Sequence, residues 1–219
     1  MSDLPIQLAR ERVTLLPERA LYWPRTRTLL VADPHWGKAA AFRAAAIAIP
    51  AGTTASGLAR LTQALKRTKA ERVIFLGDFL HARESRARAT LNALSTWRDA
   101  HRRLDITLVR GNHDRRAGDP PAEWRIRCVD PPHIEAPFVL VHLPGESAEG
   151  YTLAGHVHPA VRLRGSGGQS TTLPCFAFGP RGGMLPAFGN FTGQARLLRS
   201  PGERLYAIAG DDVLAVPPK

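Results

Sequence analysis

Five short polar clusters stand where apolar runs end: Asp33-Pro34-His35, Gly77-Asp78, Gly111-Asn112-His113-Asp114, His142, and Gly155-His156-Val157-His158. Between them they supply carboxylate, imidazole and side-chain amide. Imidazole suits zinc, iron, nickel or copper, whereas carboxylate and amide oxygens suit manganese or magnesium, so a mixed set suits Mn²⁺, Fe or Zn²⁺. The donors suffice for two cations. Two cations in one site stand roughly 3.5–4 Å apart and clamp the attacking and leaving oxygens of an in-line displacement. A carboxylate standing alone after a strand, as Asp78 does, suits the bridge between them. One such cluster is weak evidence, because a single His after a strand is more often structural. Five in succession point to one built site.

The runs that precede the clusters are of strand length. Thr28–Ala32 (TLLVA), Arg72–Leu76 (RVIFL) and Asp105–Val109 (DITLV) read as buried strands. Thr53 or Thr54 can cap a helix reaching about Lys69, with Leu58, Leu61 and Leu65 at helical spacing. Residues 85–103 read as a second helix, with Leu91, Leu94 and Trp97 on one face. Strand, helix, strand, helix, strand argues for a parallel α/β sheet. Residues 6–23 read as one or two short strands, and residues 39–46 as a helical turn or a mobile loop. The second half reads as short strands at 138–141, 151–154, 171–178, 184–188, 205–209 and 213–216, with a flexible turn at 165–168. Gly210-Asp211-Asp212 suits a hairpin turn. This half is expected to form a mostly antiparallel sheet stacked on the first. In open α/β sheets ligands bind beyond the carboxyl ends of the strands, where all five clusters would meet.

A chain of 219 residues is long enough for one sizeable core and short for two, so a single domain over 1–219 is expected. The formal net charge is +11 and the pI about 10.9. Of the 30 basic residues, 23 precede Asp130 and 7 follow it. Such an excess suggests an anionic partner such as nucleic acid. Cys128 and Cys175 suggest no disulfide framework. Residues 1–5 show no signal-peptide pattern, and no apolar run approaches the roughly 18 residues of a membrane span. A cytoplasmic protein without membrane association is the expectation.

The clusters, as D-x-H, G-D, G-N-H-D, a further His and G-H-x-H in that order from Asp33 to His158, resemble the motifs of calcineurin-like metallophosphoesterases. The resemblance implies an α/β fold, a four-layer αββα sandwich of two mixed β-sheets flanked by helices. It implies that Asp33, His35, Asp78 and His158 hold a first metal, and that Asp78, Asn112, His142 and His156 hold a second, with Asp78 bridging. His113 would lie at the leaving group without binding metal, and Asp114 would orient it. A bridging hydroxide would attack phosphorus while His113 protonates the leaving alkoxide. Val141 precedes His142 where many members have Gly, and the ligand itself is retained.

Residues 33–38 (DPHWGK), 77–81 (GDFLH) and 155–160 (GHVHPA), followed by LPCF at 173–176 and LPAFG at 185–189, are similar to the small bacterial PdeM-like branch, the ligase-associated DNA damage response endonucleases. That implies a DNA substrate and a role in DNA repair beside a ligase, a helicase and a nuclease. The alternative is a phosphodiesterase or phosphatase acting on a nucleotide or cyclic nucleotide at the same site. Arg115 and Arg116 directly follow the catalytic motif and are expected at the cleft mouth, holding phosphates. Lys38 would pair with a phosphate or lie free on the surface. His81 would back the metal site or touch substrate. Trp36 would stack on a base or pack beneath its loop.

Overall fold

The computed structural model describes residues 2–47, 52–165, 167–190 and 192–218. Strands β1 (Leu4–Leu8), β2 (Glu11–Leu16), β3 (Ala20–Trp23) and β4 (Thr28–Ala32) form an antiparallel meander. Residues 6–23 thus lie in three strands rather than one or two. The reversals use Ala9, Arg10 and Arg19 in the left-handed region, so neither turn carries the Asn-Gly or Asp-Gly signal by which hairpins are read.

Strands β5 (Arg72–Leu76), β6 (Asp105–Val109) and β7 (Arg127–Val129) extend β4 in parallel. Their register levels the ends: Ala32 pairs with Leu76, and Leu76 with Val109. Three of the polar clusters therefore leave one sheet edge at one height. Both faces of these strands are buried, which is why they read as continuous apolar runs. On β4, Leu29 and Val31 face the helix-side core, and Leu30 and Ala32 face the second sheet.

Helix α1 (Lys38–Ala44) settles the helix-or-loop alternative for this stretch. In α2 (Thr53–Thr68) the N-cap position is Gly52, and neither threonine caps; Thr54 Oγ1 accepts the Gly37 amide at 3.3 Å instead. The helix expected over 85–103 is shorter. Ala87 is extended (ψ 141) and separates a 3₁₀ turn, Arg83–Arg86, from α3 (Arg88–Ala100). A single turn, α4 (Asp114–Ala117), follows β6. Helices α2 and α3 pack on the first sheet through Leu58, Leu61, Leu65 and Leu94.

The second sheet contains β8 (His133–Glu135), β9 (Phe138–Leu140), β10 (Tyr151–Ala154), β11 (Pro159–Arg164), β12 (Ser170–Phe178), β13 (Gly182–Met184), β14 (Ala195–Arg196), β15 (Arg204–Ala209) and β16 (Asp212–Ala215). It is antiparallel mainly at its flanks and parallel at its centre, where β9, β10 and β13 run side by side. The run at 184–188 is a strand only to Met184. Pro186 has no amide to continue the ladder, and the chain crosses to the first sheet, where Phe188 donates to the Ala32 carbonyl (2.7 Å) and Gly189 to that of Asp33 (3.0 Å). The 165–168 turn includes Ser166, which lies outside the described residues; the hairpin at Gly210-Asp211 is present.

Trp23, Leu30, Ile74, Phe138, Leu153, Phe176 and Phe178 fill the space between the sheets. Residues of opposite parity on β12 and β15, Cys175, Ala177, Leu205 and Ala207, form a smaller cluster on the far face. Two mixed β-sheets with flanking helices make the expected α/β sandwich. Among the described residues no helix is long and apolar enough to cross a membrane.

Candidate metal centre

The loops after β4, β5 and β6 meet those after β9 and β10 across the mouth of the sandwich. Two donor groups fall on the expected ligands, Asp33, His35 and His158, and Asp78, His142 and His156, and a third, His35, His81 and His113, shares His35 with the first; the donor atoms of each group lie within 4.8 Å of one another. Asp78 stands between the first two. Its Oδ2 is 3.7 Å from His35 Nε2 and its Oδ1 3.3 Å from His142 Nε2. Asn112 joins the second group through Oδ1, 2.8 Å from His142 Nε2.

The protonation pattern tests whether cations suit this arrangement. His142 Nδ1 donates to the Leu76 carbonyl (3.1 Å), so Nε2 of the neutral ring is a bare lone pair. That lone pair faces the oxygens of Asp78 and Asn112, which are acceptors, and lies 3.1 Å from His156 Nδ1. His158 repeats the pattern. Its Nδ1 is held by the Gly193 carbonyl (3.0 Å), leaving Nε2 toward His35 Nε2 (3.4 Å) and Asp33 Oδ2 (3.7 Å). Asp33 is fully buried, and its Oδ1 has no hydrogen-bond partner. Main-chain amides of His156 and His113 donate to Asp33 Oδ2 (2.7 Å) and Asp78 Oδ1 (3.0 Å), but the imidazole nitrogens and Asp33 Oδ1 keep lone pairs of the kind that divalent cations neutralise, so the residues fit.

Electrostatics agree. Burial is the largest cause that pushes His35, His142 and His158 below the ordinary imidazole range, keeping them in the neutral, ligating form. Burial, with the charge of Asp78 added, lifts Asp33 well above the carboxylate range. Bound cations invert this pressure.

The backbone is strained where the donors sit. Asp33 (φ 50), His35 (φ 45), Asp78 (φ 52), His156 (φ 67) and His158 (φ 54) are all left-handed, a conformation that costs a non-glycine residue about 1–3 kcal/mol and gathers at functional sites. Two glycines let backbone approach carboxylate. A Cβ on Gly111 would lie 2.4 Å from Asp78 Oδ1, and one on Gly155 would lie 2.5 Å from Asp33 Oδ2.

His113 is half-buried, with Nε2 3.9 Å from Asp78 Oδ2 and Nδ1 against the His81 carbonyl. Asp114 does not orient it, contrary to expectation. Its buried carboxylate instead accepts the amides of Asp78 (2.8 Å), Gly111 (2.8 Å) and Phe79 (2.9 Å), clamping two site loops together. Burial lifts its pKa to about 6, opposed by those amides. His81 stacks on His113 (centroids 5.0 Å, 22°) with Nδ1 3.4 Å from His35 Nδ1, so it backs the site. Burial, then Lys38, lowers its pKa to about 4.

Trp36 is only 3 % exposed and packs on Phe188, so it offers no face to a base. Lys38 is half-buried beside Phe42. Arg115 and Arg116 are exposed on α4. Several positioning groups had no motif to announce them. Arg19 donates to the Gly189 carbonyl (3.2 Å), and Arg60 to the Phe188 carbonyl and Asn190 Oδ1 (3.2 Å), fixing the segment behind Asp33. Main-chain acceptors such as those of Leu76, His81 and Gly193 exist at every residue, so only folding singles them out.

Sandwich and donor groups together define a metal-dependent phosphoesterase. The calcineurin-like phosphoesterase family matches residues 26–174, and the chain belongs to that family. The crystal structure of the Pseudomonas putida nuclease MPE is similar: 43 % identity over 98 % of this chain and 100 % of that one, with a TM-score of 0.87. The E. coli phosphoesterase Yfce shares 13 % identity over 86 % of this chain and 96 % of its own, at a TM-score of 0.42. No curated protein matches the chain.

Proposed function

We propose that the chain is a phosphodiesterase that cuts DNA at a two-cation site, with Mn²⁺ the cation its donors suit best. The carrying observation is the set of bare imidazole nitrogens and carboxylate oxygens gathered on either side of Asp78. Likeness to a nuclease over nearly the whole chain supports nucleic acid as substrate, as does the +11 charge. The motif resemblance supports a place in DNA repair. Asp33, His35, Asp78 and His158 would hold one cation, and Asp78, Asn112, His142 and His156 the other.

When bound, such a pair of cations makes hydroxide available near neutral pH and offsets charge on the phosphoryl oxygens. The chain's own groups set the proton positions. The carbonyls of Leu76 and Gly193 keep protons on Nδ1 of His142 and His158, leaving each Nε2 free to ligate. With Nε2 given to a cation, His35 would carry its proton on Nδ1, 3.4 Å from His81 Nδ1, which would accept it. The neutral His81 ring then bears its proton on Nε2. The His81 carbonyl holds the Nδ1 proton of His113, so the proton passed to the leaving oxygen sits on His113 Nε2.

The test is hydrolysis of circular single-stranded DNA and of bis-p-nitrophenyl phosphate, with and without Mn²⁺, and with Asp78→Asn as control. Metal-dependent cutting of both, lost in the variant, is expected, and cutting of a circle identifies an endonuclease. Cutting of the small diester alone would leave the site standing and turn the substrate into a nucleotide-like molecule.

A further inference from the structure

We infer that one wall of the cleft is a track for the phosphates of a single nucleic-acid strand, while the segment that follows His142 is not. This rests on the nuclease reading above and adds where the polymer lies. Three short elements begin just beyond three site residues: α1 after His35, the Arg83–Arg86 turn after His81, and α4 after His113. They pack together. Arg83 Nε donates to the Arg116 carbonyl and Arg86 Nη1 to that of Ala117, each at 3.3 Å, and Phe42 of α1 lies 5.8 Å from the His81 ring. This wall carries Lys38, Arg43, Arg83, Arg115 and Arg116, with Glu84 the exposed acid among them.

Among the described residues, none of those five cations is within ion-pair distance of a carboxylate. Some arginines elsewhere are paired, Arg72 with Glu135 and Asp105, Arg102 with Asp99, and Arg110 with Asp119 and Asp130; what sets this wall apart is that its five cations lie on three touching elements beside the site. Residues 143–150, which follow the ligand His142 on the second sheet's side, contain no basic residue and expose Leu143 and Glu146, and Glu146 is ion-paired with Arg181 (3.2 Å). Unpaired like charges on touching elements repel one another, and a polyanion relieves that repulsion while releasing its own counterions.

The wall suits phosphates rather than bases. It presents no long helix or ribbon to enter a major groove; Trp36 is buried, and Phe42 is half-buried between Lys38 and the His81 ring. A single strand fits better than a duplex because Asp33, His35 and Asp78 lie at the floor, each nearly fully buried. A flexible strand can lower a phosphate to that floor, whereas duplex DNA is stiff over about 50 nm.

The test compares kcat/KM for circular single-stranded DNA with that for bis-p-nitrophenyl phosphate, both with Mn²⁺ over a salt series. The double variant Arg115→Gln/Arg116→Gln is expected to lower the polymer-to-small-diester ratio at least tenfold. Its slope of log kcat/KM against log salt should be shallower by about 1.4, at about 0.7 per single-strand phosphate released. Arg115→Lys/Arg116→Lys should keep the parental slope. Arg162→Gln/Arg164→Gln, on β11, removes the same charge elsewhere and should change neither quantity. Equal loss on both substrates would place the arginines at the scissile phosphate and overturn the track. An unchanged slope, or the same loss from the β11 variant, would overturn it too. If the parent protein cuts only the small diester, the nuclease reading itself fails, a different result from failure of the variants.

Discussion

The parallel centre of the molecule and its antiparallel flanks differ in what their strand ends carry. All the donors converge from loops that follow β4, β5, β6, β9 and β10, each paired in parallel with at least one neighbour. The meander β1–β3 and the strands β11, β12, β15 and β16 contribute no donor to either group, although they build much of the inter-sheet core. Parallel strands deliver their carboxyl ends to one edge, and a flush register brings those ends to one height. Antiparallel strands alternate edges, so successive loops cannot converge. Chemistry here follows strand direction, not burial.

The comparison is broken most directly at the centre. Asp78→Asn should lower turnover of a small diester by about 10³-fold or more, the scale of losing a preorganised electrostatic group, with bound Mn²⁺ falling as well. Near-parental turnover would mean that the two donor groups do not act as one site. Asp114→Ala leaves the amides of Asp78, Phe79 and Gly111 without their acceptor. About 3 kcal/mol of stability should be lost, at about 1–3 kcal/mol per orphaned group with partial relaxation, read as a lower Tm in metal-free protein. If Tm holds and only activity falls, the carboxylate serves His113 after all.

Gly155→Ala sharpens the contrast, since its Cβ would strike Asp33 Oδ2 at 2.5 Å. Apparent Mn²⁺ affinity should fall by about 10–100-fold, as when a ligand's supporting shell is disturbed. An unaltered Mn²⁺ titration would show that the close approach is dispensable. The smallest effect belongs to the flank. Leu214→Ser on β16, at a side chain 49 % exposed, should shift stability by no more than about 0.5 kcal/mol and leave turnover alone. A loss of turnover there would tie the flank to the site.

Local chemistry by itself determined where the site residues sit along the chain. TLLVA, RVIFL and DITLV are buried on both faces, so each had to be a central strand, and Asp33, Gly77 and Gly111 had to come at or just beyond their ends. The donor types also announced cations before any fold was known. Pairings across long stretches of sequence were decided only by folding. His35 meets His158, and Asp33 holds the His156 amide, because two sheets pack face to face with their parallel centres aligned. Tertiary structure alone likewise buried Trp36, turned Asp114 toward three amides and placed five donors in left-handed conformations. A pattern of residue types records each strand's periodicity, but the partner of a buried polar group depends on which loops the packing brings together.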